Sequence, residues 1–487
     1  MNHDWLQLDV QTQIPLTPLP QGTTIMSQSS PWSLVWKMLG IVLLTYLMAN
    51  MIFLIVYGLW EQDMMLTMGS TFCSFPLVLL FIWLRRPKLK HILSAFPVEG
   101  GQTIHPISDN RVLHTSVPTR FAHHLIRDSP PVELPPARTL WTIFFVTVFL
   151  SVGAFIPVLI TDLPVAILMV ILVAIPAWLI GFSVPVHAWW SFSMHHLDIQ
   201  TTKWQAEMML IAGMLSTIPA IVINSILSPS LLNLAGMSAF DTNSVGEFLL
   251  LTMSAPIGEE ICKGLLILSL YRIIDSPKRG FQVGFCVGLG FAMLENLQYI
   301  LGSLFGGEYL AFSYGLTTII RGIGSIPGHA VWSGLTGCAI GWQISKKRKW
   351  TTADANVQET NWVLFEPDTG TPLQQQNISQ QPKNIVKPWL QIPQDKAWKL
   401  PQHPGTALGL AILGHALWNG SSWGVGYLTR DLSPGIGLLA LILWTGFLVA
   451  CLWFVGRQIM ASVQYLPNES ILRNPLIETD LSQKELQ

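Results

Sequence analysis

Six side chains able to do chemistry stand in stretches that are otherwise Leu, Ile, Met, Ala and Gly: Glu259, Glu260, Glu295, His329, His415 and Asn419. Their settings read Gly258-Glu259-Glu260-Ile261-Cys262-Lys263, Phe291-Ala292-Met293-Leu294-Glu295-Asn296, Gly328-His329-Ala330-Val331-Trp332 and Gly414-His415-Ala416-Leu417-Trp418-Asn419. Two kinds of group, carboxylate and imidazole, supply a base to activate water and either donors for an oxyanion or ligands for a metal. Helical spacing decides which of them can meet. At 100° per residue Glu259 and Lys263 share a face, as do His415 and Asn419, whereas Glu259 and Glu260 point about 100° apart and must serve different roles.

An ionisable group at bilayer depth costs at least about 2.5 to 3.5 kcal/mol, so each of these needs a partner or a function. Lys263, Asn296 and Arg321, close by in sequence, are the supporting partners. With a rise of 1.5 Å per residue, Glu259 lies about 18 Å into its span and His415 about 15 Å into its own, in a hydrocarbon core about 30 Å thick. The groups therefore share one depth, and one cavity between helices is expected to collect them.

The elements that must position them are membrane helices. Of 487 residues, 50% are hydrophobic and 11% charged, with a mean hydropathy of +0.45 and 20 Trp, against about 25% charged in a soluble domain. This points to an all-α, polytopic membrane helical bundle of about ten transmembrane helices. The expected spans are 38–60, 64–84, 140–161, 164–187, 204–227, 247–271, 281–305, 317–345, 405–427 and 434–455. Arg85, Arg86, Lys88 and Lys90, then Lys278 and Arg279, then Lys346 to Lys349 follow the second, sixth and eighth of these. They share a side only if both termini are cytoplasmic, as expected of a multi-pass protein of the cell membrane. A formal net charge of −1 nominates no nucleic-acid partner.

The organisation that follows is a disordered tail over 1–31, spans 1 and 2 over 32–90, a cytoplasmic loop over 91–138, and spans 3 to 5 over 139–247. The catalytic core is expected over 248–345, a cytoplasmic insert over 346–403, spans 9 and 10 with the last catalytic helix over 404–457, and a tail over 458–487. Both long connections read as mostly irregular, the second because of the Gln-rich stretch from Leu373 to Gln381. The first five spans read as nearly free of buried polar groups. His187, His195 and His196, beside Trp189 and Trp190, read as an interfacial aromatic belt, and His105, His114, His123 and His124 as solvated. The five Cys read as packing residues. Gly284 with Gly288 and Gly337 with Gly341 are small-x-x-x-small pairs for close helix approach. Pro256 and Pro327 are placed to kink helices and free carbonyls beside the polar motifs.

The order of these motifs resembles the PrsW family of intramembrane proteases and, more distantly, the type II CAAX prenyl proteases. The matching residues are the E-E-x-x-K of Glu259, Glu260 and Lys263, the F-x-x-x-E-N of Phe291, Glu295 and Asn296, and the later His329 and His415, all within 248–427. The CAAX pattern E-E-x-x-x-R is not met, because Lys263 comes one residue earlier, and this favours PrsW. The resemblance implies hydrolysis of a membrane-associated protein, such as an anti-sigma factor, in the lipid bilayer. It implies that Glu259 or Glu260 deprotonates water, that Glu295 and His329 orient that water or bind a metal, and that His415 and Asn419 donate to the oxyanion. His329, His415 and Glu295 are the metal candidates. Zinc is compatible with these donors, and the absence of H-E-x-x-H leaves metal-dependent and metal-free hydrolysis both open.

The competing class is a transporter that uses the same Glu, His, Lys and Arg as an ion or proton relay. Such a fold would carry buried charges in both halves of the chain.

Overall fold

In lipid no water satisfies the backbone, so apolar runs of this length close their hydrogen bonds internally as helices. A computed structural model describes residues 30–86, 88–107, 111–127, 130–156, 164–199, 201–347 and 388–466. Its first half holds helices α1 (Pro31–Trp60), α2 (Met64–Arg85), α3 (Ala137–Phe155), α4 (Pro164–Leu197), α5 (Lys203–Val222) and α6 (Ser228–Leu234). Then follow α7 (Val245–Leu249), α8 (Ala255–Ser269), α9 (Pro277–Ser303), α10 (Leu310–Ile320), α11 (Ile326–Lys347), α12 (Pro404–Thr429) and α13 (Pro434–Val463). Side-chain oxygens start several of them: Asp63 accepts from Leu66 N, Ser276 from Arg279 N, and Thr202 forms a capping box with Gln205, each satisfying an amide that the first turn leaves free.

Seven helices among the described residues are long and apolar enough to cross a membrane. Three further helical stretches, over 245–269, 310–347 and Pro404–Thr429, are less apolar because they carry Glu259, Glu260 and Lys263, then Arg321 and His329, then His415 and Asn419.

Three π turns interrupt the helices, at Ile223–Leu227, Leu250–Ser254 and Arg321–Ser325. Each stands two residues before a proline, Pro229, Pro256 and Pro327. A proline in a helix lacks its N–H and collides with the carbonyl four residues back, and one wider turn relieves both. The carbonyls that the turns loosen find donors elsewhere. Asn419 Nδ2 reaches Leu251 O at 3.1 Å, Trp189 Nε1 reaches Gly322 O at 3.0 Å, and Trp453 Nε1 reaches Ile323 O at 2.8 Å.

Helix α9 is central: most of its side chains are buried, and α4, α5, α8 and α11 all pack on it. Lipid tails give little hydrophobic drive between helices, so close backbone contact must hold them. Glycine permits it. A Cβ at Gly288 would overlap the carbonyl oxygen of His329, and one at Gly284 would overlap that of Ser333. The α9–α11 contact is therefore tight at the turn that carries His329. Trp190, Phe182, Phe281, Phe285 and Tyr314 fill the core around it.

The connection expected to be irregular after α2 is instead an antiparallel hairpin, β1 (Leu89–Ile107) paired with β2 (Arg111–Arg127). Pro97, Pro106 and Pro118 argued against strands, but in a two-stranded sheet each strand has a free edge where a missing N–H costs nothing. His105, His114, His123 and His124 lie on these strands. The register shifts between Pro97 and Gln102, next to Gly100 at φ 86°. In the second connection, residues 388–403 carry two 3-10 turns, Pro388–Leu390 and Gln394–Lys396. The stretch from Leu373 to Gln381, residues 1–29 of the N-terminal tail and residues 467–487 of the C-terminal one lie outside the described residues.

Two further expectations are corrected. His187 and His196, read as part of an exposed belt, are buried among the helices: His187 Nδ1 lies 2.8 Å from Ser183 O, and His196 Nε2 lies 2.8 Å from Met460 O, with Trp190 fully enclosed. The belt pattern was matched by Trp and His used to join helices. The early spans are not free of buried charge either, for Glu207 on α5 binds Lys37 of α1 at 2.7 Å and approaches Arg85 of α2 at 3.5 Å. Lys37 stays partly exposed at this pair, so solvent screening keeps its worth below that of a fully buried one.

Candidate active site

Helix α8 begins just after its π turn, and its second turn presents Glu259 and Glu260 in different directions, as 100° per residue requires. Glu260 is 1% exposed and Lys263 is 0% exposed, and they meet at 2.7 Å. The same ammonium donates to His329 Nδ1 at 2.8 Å, lies 3.7 Å from Glu259 Oε2 and sits 3.9 Å from the centre of the Phe291 ring. Four helices are joined here. His415 on α12 brings Nδ1 to 3.1 Å from Glu260 Oε1 and Nε2 to 3.9 Å from Glu259 Oε2. The two imidazole rings stand edge to face with centres 5.1 Å apart.

Glu295 on α9 completes the group from the other side. Its Oε2 lies 2.9 Å from His329 Nε2 and 3.1 Å from Arg321 Nη1. Arg321, in the third π turn, also donates to Ser325 Oγ at 3.2 Å and Asn296 Oδ1 at 3.4 Å, and its guanidinium lies over the Tyr299 ring. Asn296 is fully buried and lies behind this ion pair.

These groups border a cavity of about 620 Å³. Glu259, Glu295, His329, His415, Asn419 and Arg321 line it, together with Trp332, Trp418 and the inner face of α13, while Glu260 and Lys263 stay behind the wall. Glu259 is thus the member of the Glu-Glu pair that faces the open space. Its Oε2 is buried and has no hydrogen-bond partner among the described residues.

Hydrogen-bonding capacity fixes several roles. A carboxylate only accepts, so His415 Nδ1 carries the proton toward Glu260 and leaves a lone pair on Nε2. A lysine ammonium only donates, so His329 Nδ1 is an acceptor and the ring proton sits on Nε2 beside Glu295. Asn419 lines the cavity, but its amide N–H is used on Leu251 O.

The sequence reading did not include Asn224. It lies in the first π turn, lines the cavity and donates to Glu259 Oε1 at 3.2 Å, with its own Oδ1 buried and without a partner. The signal available was an amide in the middle of an apolar run, Ile221-Val222-Ile223-Asn224-Ser225-Ile226-Leu227.

One group of ligand types is compact. Single donor atoms of Glu259, His329 and His415 all lie within 4.8 Å of one another. Glu295, named in the sequence reading, is outside this group and lies 2.9 Å from His329 Nε2 while paired with Arg321.

Residues 201–362 match the family model described as PrsW family intramembrane metalloprotease. That stretch is similar to the PrsW-type intramembrane proteases. No curated protein and no solved structure matches the chain. The PrsW-type segment runs from the start of α5 through α11, so it holds the Glu-Glu-x-x-Lys helix, Glu295 and His329, and it ends before α12. The match is to PrsW; the CAAX likeness rests on motif order alone. The protein is accordingly a multi-pass membrane hydrolase with a Glu, His, His group at its centre.

Proposed function

We propose that the chain cleaves peptide bonds of a membrane-associated protein at the Glu259, His329 and His415 cluster, with Glu259 as the carboxylate that meets water. The observation that carries this reading is Glu259 Oε2: it lines the cavity, is buried, lacks a hydrogen-bond partner, and stands 3.9 Å from His415 Nε2. One water at ordinary hydrogen-bond length, about 2.8 Å, can touch both acceptors.

In the reaction Glu259 takes a proton from that water as its oxygen attacks the scissile carbonyl carbon. The C–N bond then breaks, and Glu259 passes the proton to the leaving nitrogen. Arg321, a cavity-lining group with only donors, faces the charge that develops on the carbonyl oxygen. Glu260 acts through His415, whose ring it orients, and Glu295 does the same for His329.

The family description implies a metal, and the residues fit one. Two imidazoles and a carboxylate are a zinc-type donor set, and Glu259 Oε2 is an orphaned anionic oxygen within reach of both rings. In a metal-dependent form Glu259, His329 and His415 would hold the ion, and Glu259 would then serve as a ligand in place of the free base. When bound the ion would polarise the scissile carbonyl and lower the energy needed to deprotonate water.

Both termini on the cytoplasmic side of the cell membrane belong to the same proposal, supported by the Lys and Arg that follow the second, sixth and eighth expected spans. The test is cleavage of candidate membrane proteins by the purified chain in detergent. Glu259→Gln, which keeps volume and removes the base, is expected to be inactive. Cleavage at the unmodified rate by this variant would overturn the assignment. pH-dependent ion flux without cleavage would favour the relay reading instead.

A further inference from the structure

Lys263 is central in a way that its neighbours are not. Its ammonium touches two of the three residues in the compact ligand group, at 2.8 Å from His329 Nδ1 and 3.7 Å from Glu259 Oε2. It also holds Glu260, the carboxylate that orients the third, at 2.7 Å. The side chain is fully buried, and the Phe291 ring closes its remaining side.

We propose that Lys263 is a tethered cation that competes with the divalent ion for this site, and so weakens metal binding to a reversible level. The inference rests on the metal-dependent form of the proposed function. Two arguments carry it. A metal ligand must offer a lone pair, and the lone pair of His329 is on Nδ1, where Lys263 already donates. An ion shared by Glu259 and His329 would also stand beside the ammonium in a site nearly free of water, where like charges repel strongly. Lys263 and the ion are thus alternative neutralisers of the same acids. Without metal, the lysine keeps Glu259, Glu260 and His329 assembled. With metal, it must release His329.

A merely structural ion pair predicts the opposite, because losing Lys263 would then disorder the ligands and weaken metal binding. The experiment uses the full chain in detergent, with zinc chloride as the probe and a chromophoric chelator as competitor. Lys263→Met and Lys263→Gln are compared with the unmodified chain, the second keeping a polar group in case the first fails to fold. Both variants are expected to bind zinc at least about fivefold more tightly, the lower end of ordinary coupling between sites. Zinc is also expected to raise their unfolding temperature by more than it raises that of the unmodified chain.

Equal or weaker zinc binding by both variants would overturn the inference. So would the lack of zinc binding by any of the three chains. Substrate cleavage by the unmodified chain, measured in the same preparation with and without chelator, separates the failures. Chelator-resistant cleavage would remove the metal and this inference while leaving the hydrolase reading in place.

Discussion

His415 brings its Nδ1 to 3.1 Å from Glu260 Oε1 across 155 residues of chain. The contact joins α12, which lies beyond the family match, to the helix that carries the Glu-Glu-x-x-Lys motif. The site therefore forms only when α12 returns to this register against α8.

The two neighbouring glutamates are expected to fail differently. Glu259→Gln should lower the rate of cleavage by about 10²- to 10⁴-fold, the usual worth of a general base, with normal thermal stability. Glu260→Gln should lower both, because the buried Lys263 loses its counter-charge and the acceptor it shares with His415 becomes neutral. Rate constants and unfolding temperatures measured on the same preparations check this, and matched losses in the two variants would contradict it.

Removal of metal is the second expectation. Incubation with a chelator should abolish cleavage, and excess zinc should restore it. His329→Ala and His415→Ala should each prevent that restoration, since each deletes a ligand from the compact group. Elemental analysis of the dialysed proteins reads the bound metal directly.

Packing at Gly288 makes a third. Gly288→Ala forces a Cβ against the His329 carbonyl, and overpacking of this kind costs about 1 to 3 kcal/mol. Activity should fall further than stability accounts for, because the turn that moves carries His329. Gly302→Ala, on the same helix with open space around its Cα, is the control and should be close to neutral.

The orientation can be read by reporter fusions. A reporter after Lys349 should be cytoplasmic and one after Asp162 should be exported. Identical readings at both sites would contradict the topology and remove the argument from shared depth.

Much of this was legible because a membrane makes polar residues conspicuous. Glu259, Glu295, His329 and His415 stood out against apolar runs, and equal depth predicted their convergence. Asn224 escaped because an uncharged amide costs less and carries no motif. Glu207 escaped because its partners, Lys37 and Arg85, lie 170 and about 120 residues away in sequence. The place of Glu259, and not Glu295, in the compact group was also out of reach. Helical phase says which residues share a face, but the pairing of Glu295 with Arg321 depends on how α9 and α11 cross. The hairpin was missed because proline was weighed as it would be inside a wide sheet.

The three π turns also act as a record of chain length. Each holds one residue more than an α-helix would place in the same rise, so the helix beyond it is rotated by about 100° from the phase its start would dictate. Deleting a single residue from Arg321–Ser325 would let the stretch from α10 to α11 relax into one continuous helix. His329 would then still face Lys263, because the deletion removes only the residue that the wide turn absorbs; the same residues wound as uninterrupted α-helix, with none deleted, would turn it away. A relative that kept all the motif residues but lacked one position in such a turn would therefore hold the same chemistry on the same faces, with a plain α-helix in place of the wide turn.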